Sequence, residues 1–261
     1  MQLPLSTAIA SRLEYLDETG STNDVLRARA ERDPEFSVVV TGSQTAGRGR
    51  LGRVWVAPPG RTLAASVLLK PTLPGGSVGA DSYGWLPLLA GLAMTRAVDA
   101  LVPGAEVALK WPNDVHVNGL KVSGILTEFV PPAAVIVGAG LNLELAADEL
   151  PTPQASSLTL AGATLVGDDL FDAALAGYLG ALGDLYDAFL GGGADATASG
   201  LRAAVVERCG TIGRPVRVEL PGVPDLYGTA DGIDATGRLL VRANGVVQAV
   251  AAGDVTHLRY E

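Results

Sequence analysis

The chain has 261 residues, of which 48% are apolar and 18% charged, and a formal net charge of −9. That composition is globular rather than disordered, and the acidic balance argues against nucleic-acid binding, which needs a basic surface to displace counterions. One cysteine, Cys209, excludes an internal disulfide framework or a cysteine-rich zinc site.

The apolar runs are too short to cross a bilayer, and Arg12 and Glu14 interrupt what would be the apolar core of a secretion signal. No membrane role is expected, and the cytoplasm is the expected compartment. Cys209 reads as a buried structural thiol, and His116 and His257 as ordinary rather than catalytic.

In chain order, Leu13 and Tyr15 alternate as in a short strand. Gly20-Ser21-Thr22-Asn23-Asp24 then offers more capping side chains than one helix start can use, ahead of the helix formers DVLRARAER. The surplus hydroxyls and amide suit a polar pocket for a neutral head group. SVVVT (37–41) is a buried strand, and it runs into TGSQTAGRGRLGRVW (41–55), where four glycines and three arginines interleave. Glycine permits close backbone approach and arginine presents a fork of donors for anions. No Gly-Lys-Ser/Thr follows, so this is not a Walker-type phosphate loop. The expected device is a lid whose arginines repel one another until an anion arrives.

TLAASVLLK (62–70) reads as the next strand, Pro71 to Gly79 as a turn, and Trp85 to Leu101 as a core helix with the stripe Leu86, Leu89, Ala93, Ala97 and Leu101. Two strands joined by the hairpin dipeptide Asn118-Gly119 follow. Pro112 forces a break or an edge position in the first and exposes Lys110, Trp111, Asn113 and Asp114 at a kink. In the second, regular alternation puts Lys121, Ser123, Ile125 and Thr127 on one face, and Gly124 leaves room for a ligand. AVIVGAGLNL (134–143) is a strand whose Gly-Ala-Gly lets a group lie against bare main chain, with Asn142 beyond. Helices are expected at 168–189 and over LRAAVVERC. From residue 210 the texture becomes RPVRVEL, LYGTA, GRLLVR, GVVQAVA and DVTHLRY, short β pieces between turn signals. A small all-β barrel or meander, 209–261, thus follows a domain of 1–208.

Four segments together resemble the biotin protein ligases: GSTN (20–23), QTAGRGRLGRVW (44–55), KWPND with GLKVSGIL (110–126), and GAGLN (138–142). The resemblance implies an α+β fold, a mixed sheet flanked by helices of the class II aminoacyl-tRNA synthetase type, with the β tail as a family feature. It also implies chemistry: biotin and Mg-ATP give biotinyl-5′-AMP, and the biotinyl group passes to a lysine of the biotin carboxyl carrier domain of a carboxylase. Carried over residue by residue, Ser21, Thr22, Asn23, Gln44, Arg48, Gly49, Arg50 and Lys121 serve biotin. Arg50, Arg53, Trp55, Lys110, Asn113 and Asn142 serve ATP, and Lys121 with Arg50 is catalytic. The magnesium ligands stay unassigned. The GSTN segment starts at residue 20, so no DNA-binding domain is expected before it. A lipoate protein ligase and a non-catalytic biotin- or nucleotide-binding regulator stand as alternatives, the arginine–glycine loop favouring biotin. A homodimer is left open.

Overall fold

Runs of β-branched residues build the centre of the molecule. A computed structural model of the chain describes residues 1–55, 57–74, 76–219, 222, 224–251 and 254–258. The expected pieces RPVRVEL and DVTHLRY end on Leu220 and on Arg259 and Tyr260, outside the described residues, as is Gly75 of the Pro71–Gly79 turn.

The elements in order are α1 (Pro4–Thr7), β1 (Arg12–Leu16), α2 (Thr22–Arg27), β2 (Ser37–Thr41), β3 (Gly47–Arg48), β4 (Val54–Trp55), β5 (Thr62–Leu69), β6 (Thr72–Leu73) and β7 (Gly76–Ser77). Then come α3 (Leu86–Leu101), β8 (Val107–Lys110), β9 (Asp114–Val117), β10 (Leu120–Val130), β11 (Ala134–Asn142), α4 (Gly167–Gly191) and α5 (Leu201–Arg208). The last strands are β12 (Pro215–Glu219), β13 (Leu226–Ile233), β14 (Leu239–Ala243), β15 (Val246–Val250) and β16 (Asp254–His257).

A seven-stranded mixed sheet runs β1-β2-β5-β11-β10-β9-β8, parallel only between β1 and β2. Alternation along its central strands gives the sheet two different faces. Leu63, Ala65, Val67 and Leu69 of β5 and Val135, Val137 and Leu141 of β11 join the main core with α3 and α4. The opposite face carries only a small apolar cluster, Val39, Leu68 and Ile136 under Leu26 and Ala30, and beyond it the residues Ala64, Gly138 and Gly140 line a cleft.

Several expectations are refined. The capped helix begins at Thr22, two residues earlier than DVLRARAER, and ends at Arg27. The stripe on α3 is too narrow, because Leu88, Ala90, Leu92, Met94, Thr95 and Val98 are buried as well. The helix packs against α4, α5 and the sheet at once. Pro112 falls in a reversal, so ALKWPNDVHVN becomes two strands, and β8 is the sheet edge. On β10 the register slips between Lys121 and Ser123. This β-bulge breaks strict alternation: Val122 and Ile125 join the core, while Lys121 lies beside Gly124 on the cleft side. Lys121 therefore does not share the face of Ser123 and Ile125, as regular pleating required.

The strands β12 to β16 form an all-antiparallel five-stranded sheet, β15-β14-β13-β12-β16. It is tied to the rest by hydrogen bonds: from the buried indoles, Trp85 Nε1 donates to Ala235 O at 2.8 Å and Trp111 Nε1 to Gly237 O at 3.0 Å, and Gly210 N donates to Leu109 O at 2.9 Å. One apolar cluster includes Leu109 and Trp111 with Val216, Val218, Ile233 and Val241. At the other end, α1 lacks a capping side chain of its own. Asp172 of α4 accepts from Leu5 N at 2.9 Å and Ser6 N at 3.0 Å instead, satisfying first-turn donors.

Candidate active site

The cleft on the helix-poor face of the sheet has a volume of ≈ 430 Å³. The expected site residues Ser21, Thr22, Asn23, Gln44, Arg48, Gly49, Arg50, Arg53, Trp55, Lys110, Asn113, Lys121 and Asn142 all line it. They come from the N-terminus of α2, the 44–55 segment, the end of β8 with its reversal into β9, β10 and the end of β11, and pairing of distant strands brings them together.

At one end, Ser21, Thr22 and Asn23 are buried. No side chain caps the helix; Thr22 and Asn23 bind across the cleft wall instead. Thr22 N and Oγ1 donate to Gln44 Oε1 at 3.0 and 3.2 Å. Ser66 Oγ lies 2.7 Å from Thr22 Oγ1 and 2.5 Å from Asn23 Oδ1, and Asn23 Nδ2 donates to Glu128 Oε2 at 2.6 Å. Asn23 sits over Gly138, where a Cβ would collide with its side-chain oxygen. This is a rigid pocket of amides and hydroxyls, suited to a neutral group with donors and acceptors of its own.

The glycine–arginine stretch folds as a short hairpin, β3 against β4, with a 3-10 turn at Arg50–Gly52 and Leu51 in the left-handed region at φ 56°. Its arginines are not a set of mutually repelling charges. Arg48 makes two hydrogen bonds of 2.7 Å to Asp24 and lies 3.5 Å from Glu128. That pairing holds the Asp24 carboxyl below its ordinary range and raises the Arg48 guanidinium. Arg50 donates to Asn113 Oδ1 at 2.9 Å, and Asn113 Nδ2 donates to Ile125 O at 2.8 Å, so the KWPND turn carries Arg50 on an anchored amide. Trp55 closes the hairpin onto β11: a Cβ on Gly140 would fall 2.6 Å from Trp55 Cε2. The bare main chain expected at Gly-Ala-Gly is thus covered by two of the protein's own side chains, Asn23 and Trp55.

In the middle, Lys121 Nζ lies 2.7 Å from Asp114 Oδ1. A Cβ on Gly124 would stand 3.3 Å from that ammonium, so the glycine leaves its approach open. The bulge leaves the Lys121 peptide groups for another segment: Lys121 N donates to Gln154 O and Ser156 N to Lys121 O, both at 2.8 Å. Asn142 Nδ2 donates to Ser156 O at 2.8 Å and pins the same segment.

Sequence reading missed several members of the wall. Pro151, Thr152, Gln154 and Ala155 form one side, Thr256 of β16 reaches the rim, and His116 lies beside Lys121. The irregular 151–155 segment carries no motif, and Thr256 is remote in the chain; only His116, inside the KWPND–GLKVSG match, had a signal. Burial pushes its imidazole down to about 4, with Lys110 adding to the effect. Among the described residues no group of three His, Cys, Asp or Glu side chains could cage a metal, and no helix is long and apolar enough to cross a membrane.

The geometry, a polar pocket joined to a cationic cleft over a mixed sheet, is that of a ligase joining a small acyl group to a nucleotide, and the comparisons agree. The family model described as "Biotin/lipoate A/B protein ligase family" matches residues 15–142, and that described as "Biotin protein ligase C terminal domain" matches residues 211–258. The chain is 40% identical to the biotin–[acetyl-CoA-carboxylase] ligase of Mycobacterium tuberculosis, over 95% of this chain and 90% of that protein. The biotin protein ligase of Aquifex aeolicus, solved with biotin and ATP, superposes with a TM-score of 0.76 at 25% identity, covering 96% of this chain and 100% of that one. The enzyme of Leishmania major with biotinyl-5-AMP gives 0.59 at 29% identity, covering 93% and 99%. The chain belongs to the biotin protein ligase family.

Proposed function

We propose that the pocket of Ser21, Thr22 and Gln44 takes the ureido ring of biotin and that the cationic part of the cleft takes ATP, with Lys121 between the reacting groups. The reaction is the activation of biotin to biotinyl-5′-AMP and transfer of biotin to a lysine of a carboxylase's biotin carboxyl carrier domain. The observation that carries the assignment is the position of Lys121, which the bulge aims into the cleft beside Gly124. In the first step a biotin carboxylate oxygen attacks the α-phosphorus and pyrophosphate leaves. In the second, the carrier lysine amine attacks the acyl carbon, AMP leaves and the amine proton is released.

Both partners of the first step are anions, so positioning and charge neutralisation supply the acceleration, without a protein nucleophile. Lys121 neutralises the carboxylate and the α-phosphate as they meet. Arg50, oriented by Asn113, and Arg53 face the phosphates, with Lys110 on the far wall. Trp55 and the segment pinned by Asn142 bound the adenine. Arg48 and Gly49 serve biotin through the backbone at the end of β3. Asp114 is the carboxylate of the cleft that a magnesium ion would meet. A single carboxylate fits an ion held mainly by phosphate and water oxygens, and when bound that ion supplies further neutralisation of phosphate charge. This reading places the protein in the cytoplasm, with ATP and its carboxylase.

The test is isotope exchange between pyrophosphate and ATP, followed by transfer to an isolated carrier domain. Exchange should require biotin and be unsupported by lipoate. Exchange driven by lipoate, or binding without exchange, would overturn it.

A further inference from the structure

Glu128 belongs to none of the motifs singled out above, yet it joins two of them across one wall of the cleft. On β10 it stands opposite Ile136, on the cleft side of the sheet. Its Oε2 accepts from Asn23 Nδ2 at 2.6 Å and lies 3.5 Å from Arg48, and its Oε1 lies 2.7 Å from Arg27. Arg48 in turn grips Asp24 through both terminal nitrogens at 2.7 Å. One guanidinium is thus shared between two carboxylates, and one carboxylate between α2 and the hairpin.

We propose that Glu128 is a positioning residue for biotin binding, which fixes the α2 pocket and the 47–55 hairpin to one strand by holding Asn23 and Arg48 together. The proposal rests on the biotin reading of that pocket. Arg48 then acts as the latch of the hairpin rather than as a cation for the substrate, its charge already answered by Asp24 and Glu128. Arg50 and Arg53 lie nearer the tip of the same hairpin. An exposed ion pair alone contributes little; here the fork geometry and the shared carboxylate make a network that sets position.

Glu128→Gln tests this in the full chain, because the amide oxygen still accepts from Asn23 while the charge facing Arg48 and Arg27 is lost. In biotin-dependent pyrophosphate exchange the KM for biotin should rise about tenfold with kcat held within about twofold. Trypsin should cut after Arg48 faster than in the unaltered chain. In an Arg48→Gln background the same substitution should add less than about twofold to KM, because both residues act through one contact. An unchanged KM, a fall in kcat alone, or a full additive effect in the double variant overturns the proposal. Should Glu128→Gln fail to fold, Asp24→Asn loosens the same guanidinium from its exposed side, and an unchanged KM there overturns it equally. Lack of biotin-dependent exchange in the unaltered chain would remove the biotin reading instead.

Discussion

The indole of Trp55 occupies space at Gly140 that any side chain would fill: a Cβ there would lie 2.6 Å from Cε2 and 2.7 Å from Cζ2. Gly140→Ala must therefore push Trp55, and β4 with it, off the sheet. The KM for ATP should rise about tenfold, with about 1–3 kcal/mol of stability lost to overpacking. Gly232→Ala, where a Cβ meets nothing within 4 Å, should leave kinetics unchanged. Equal effects at the two positions in steady-state assays and chemical melts would show that the Trp55 contact is not what matters.

Lys121→Ala should reduce pyrophosphate exchange by a factor on the order of 10² to 10³, with an unchanged circular-dichroism spectrum, since the side chain is outside the core. Asp114→Asn removes the carboxylate 2.7 Å from that ammonium and should shift the magnesium dependence of the rate to higher concentration. Near-normal exchange in the lysine variant contradicts its assignment.

A boundary near Cys209 invites removal of the second sheet, but Trp85 and Trp111, each 1% exposed, donate to its β13–β14 turn. A chain ending at Arg208 would expose both indoles and the apolar residues around them, and it should aggregate. Trp111→Phe is the milder test. It deletes the bond to Gly237 O, leaves a buried carbonyl unsatisfied at a cost of about 1–3 kcal/mol, and should raise the KM for ATP through the adjoining Lys110 and Asn113. A soluble, cooperatively melting truncation would show that the second sheet is dispensable to the first.

Burial is the main cause that pushes His116 and His257 down to about 4 from an ordinary 6.5, with Lys110 contributing to both. Unfolded, both histidines take up protons below pH 6.5; folded, they resist until near pH 4. The unfolded state therefore binds more protons in that window, and stability should fall with falling pH. Melting temperatures between pH 7 and pH 4.5 should decline, and His116→Gln with His257→Gln should flatten the decline. An unchanged slope would assign it to other groups.

The lining of the candidate site was largely legible because its motifs are contiguous: each of GSTN, GRGRLGRVW, KWPND and GAGLN packs several wall residues into a few positions. Its supports were not. Ser66 and Glu128 meet Asn23 only through sheet pairing across 43 and 105 residues, and an isolated Ser or Glu in a strand carries no mark of its partner. The face of Lys121 was misread because a bulge is a property of register, and alternation counted along one strand cannot detect an added residue. The burial of α3 was underestimated for a similar reason: a stripe describes a helix with one neighbour, and α3 has three.

The two faces of the large sheet divide the labour of the chain. Odd positions of β5 and β11, such as Val67 and Val137, hold the molecule together, while even ones, such as Ala64, Ser66, Gly138 and Gly140, shape the ligand space. The central strands thus form a partition between folding and recognition. Redesign toward another acyl group would vary Ala64 and Ser66 while keeping the odd-numbered positions, the buried Leu68 and Ile136, and Gly138 and Gly140 beneath Asn23 and Trp55, and a library restricted in that way should keep most of its members folded.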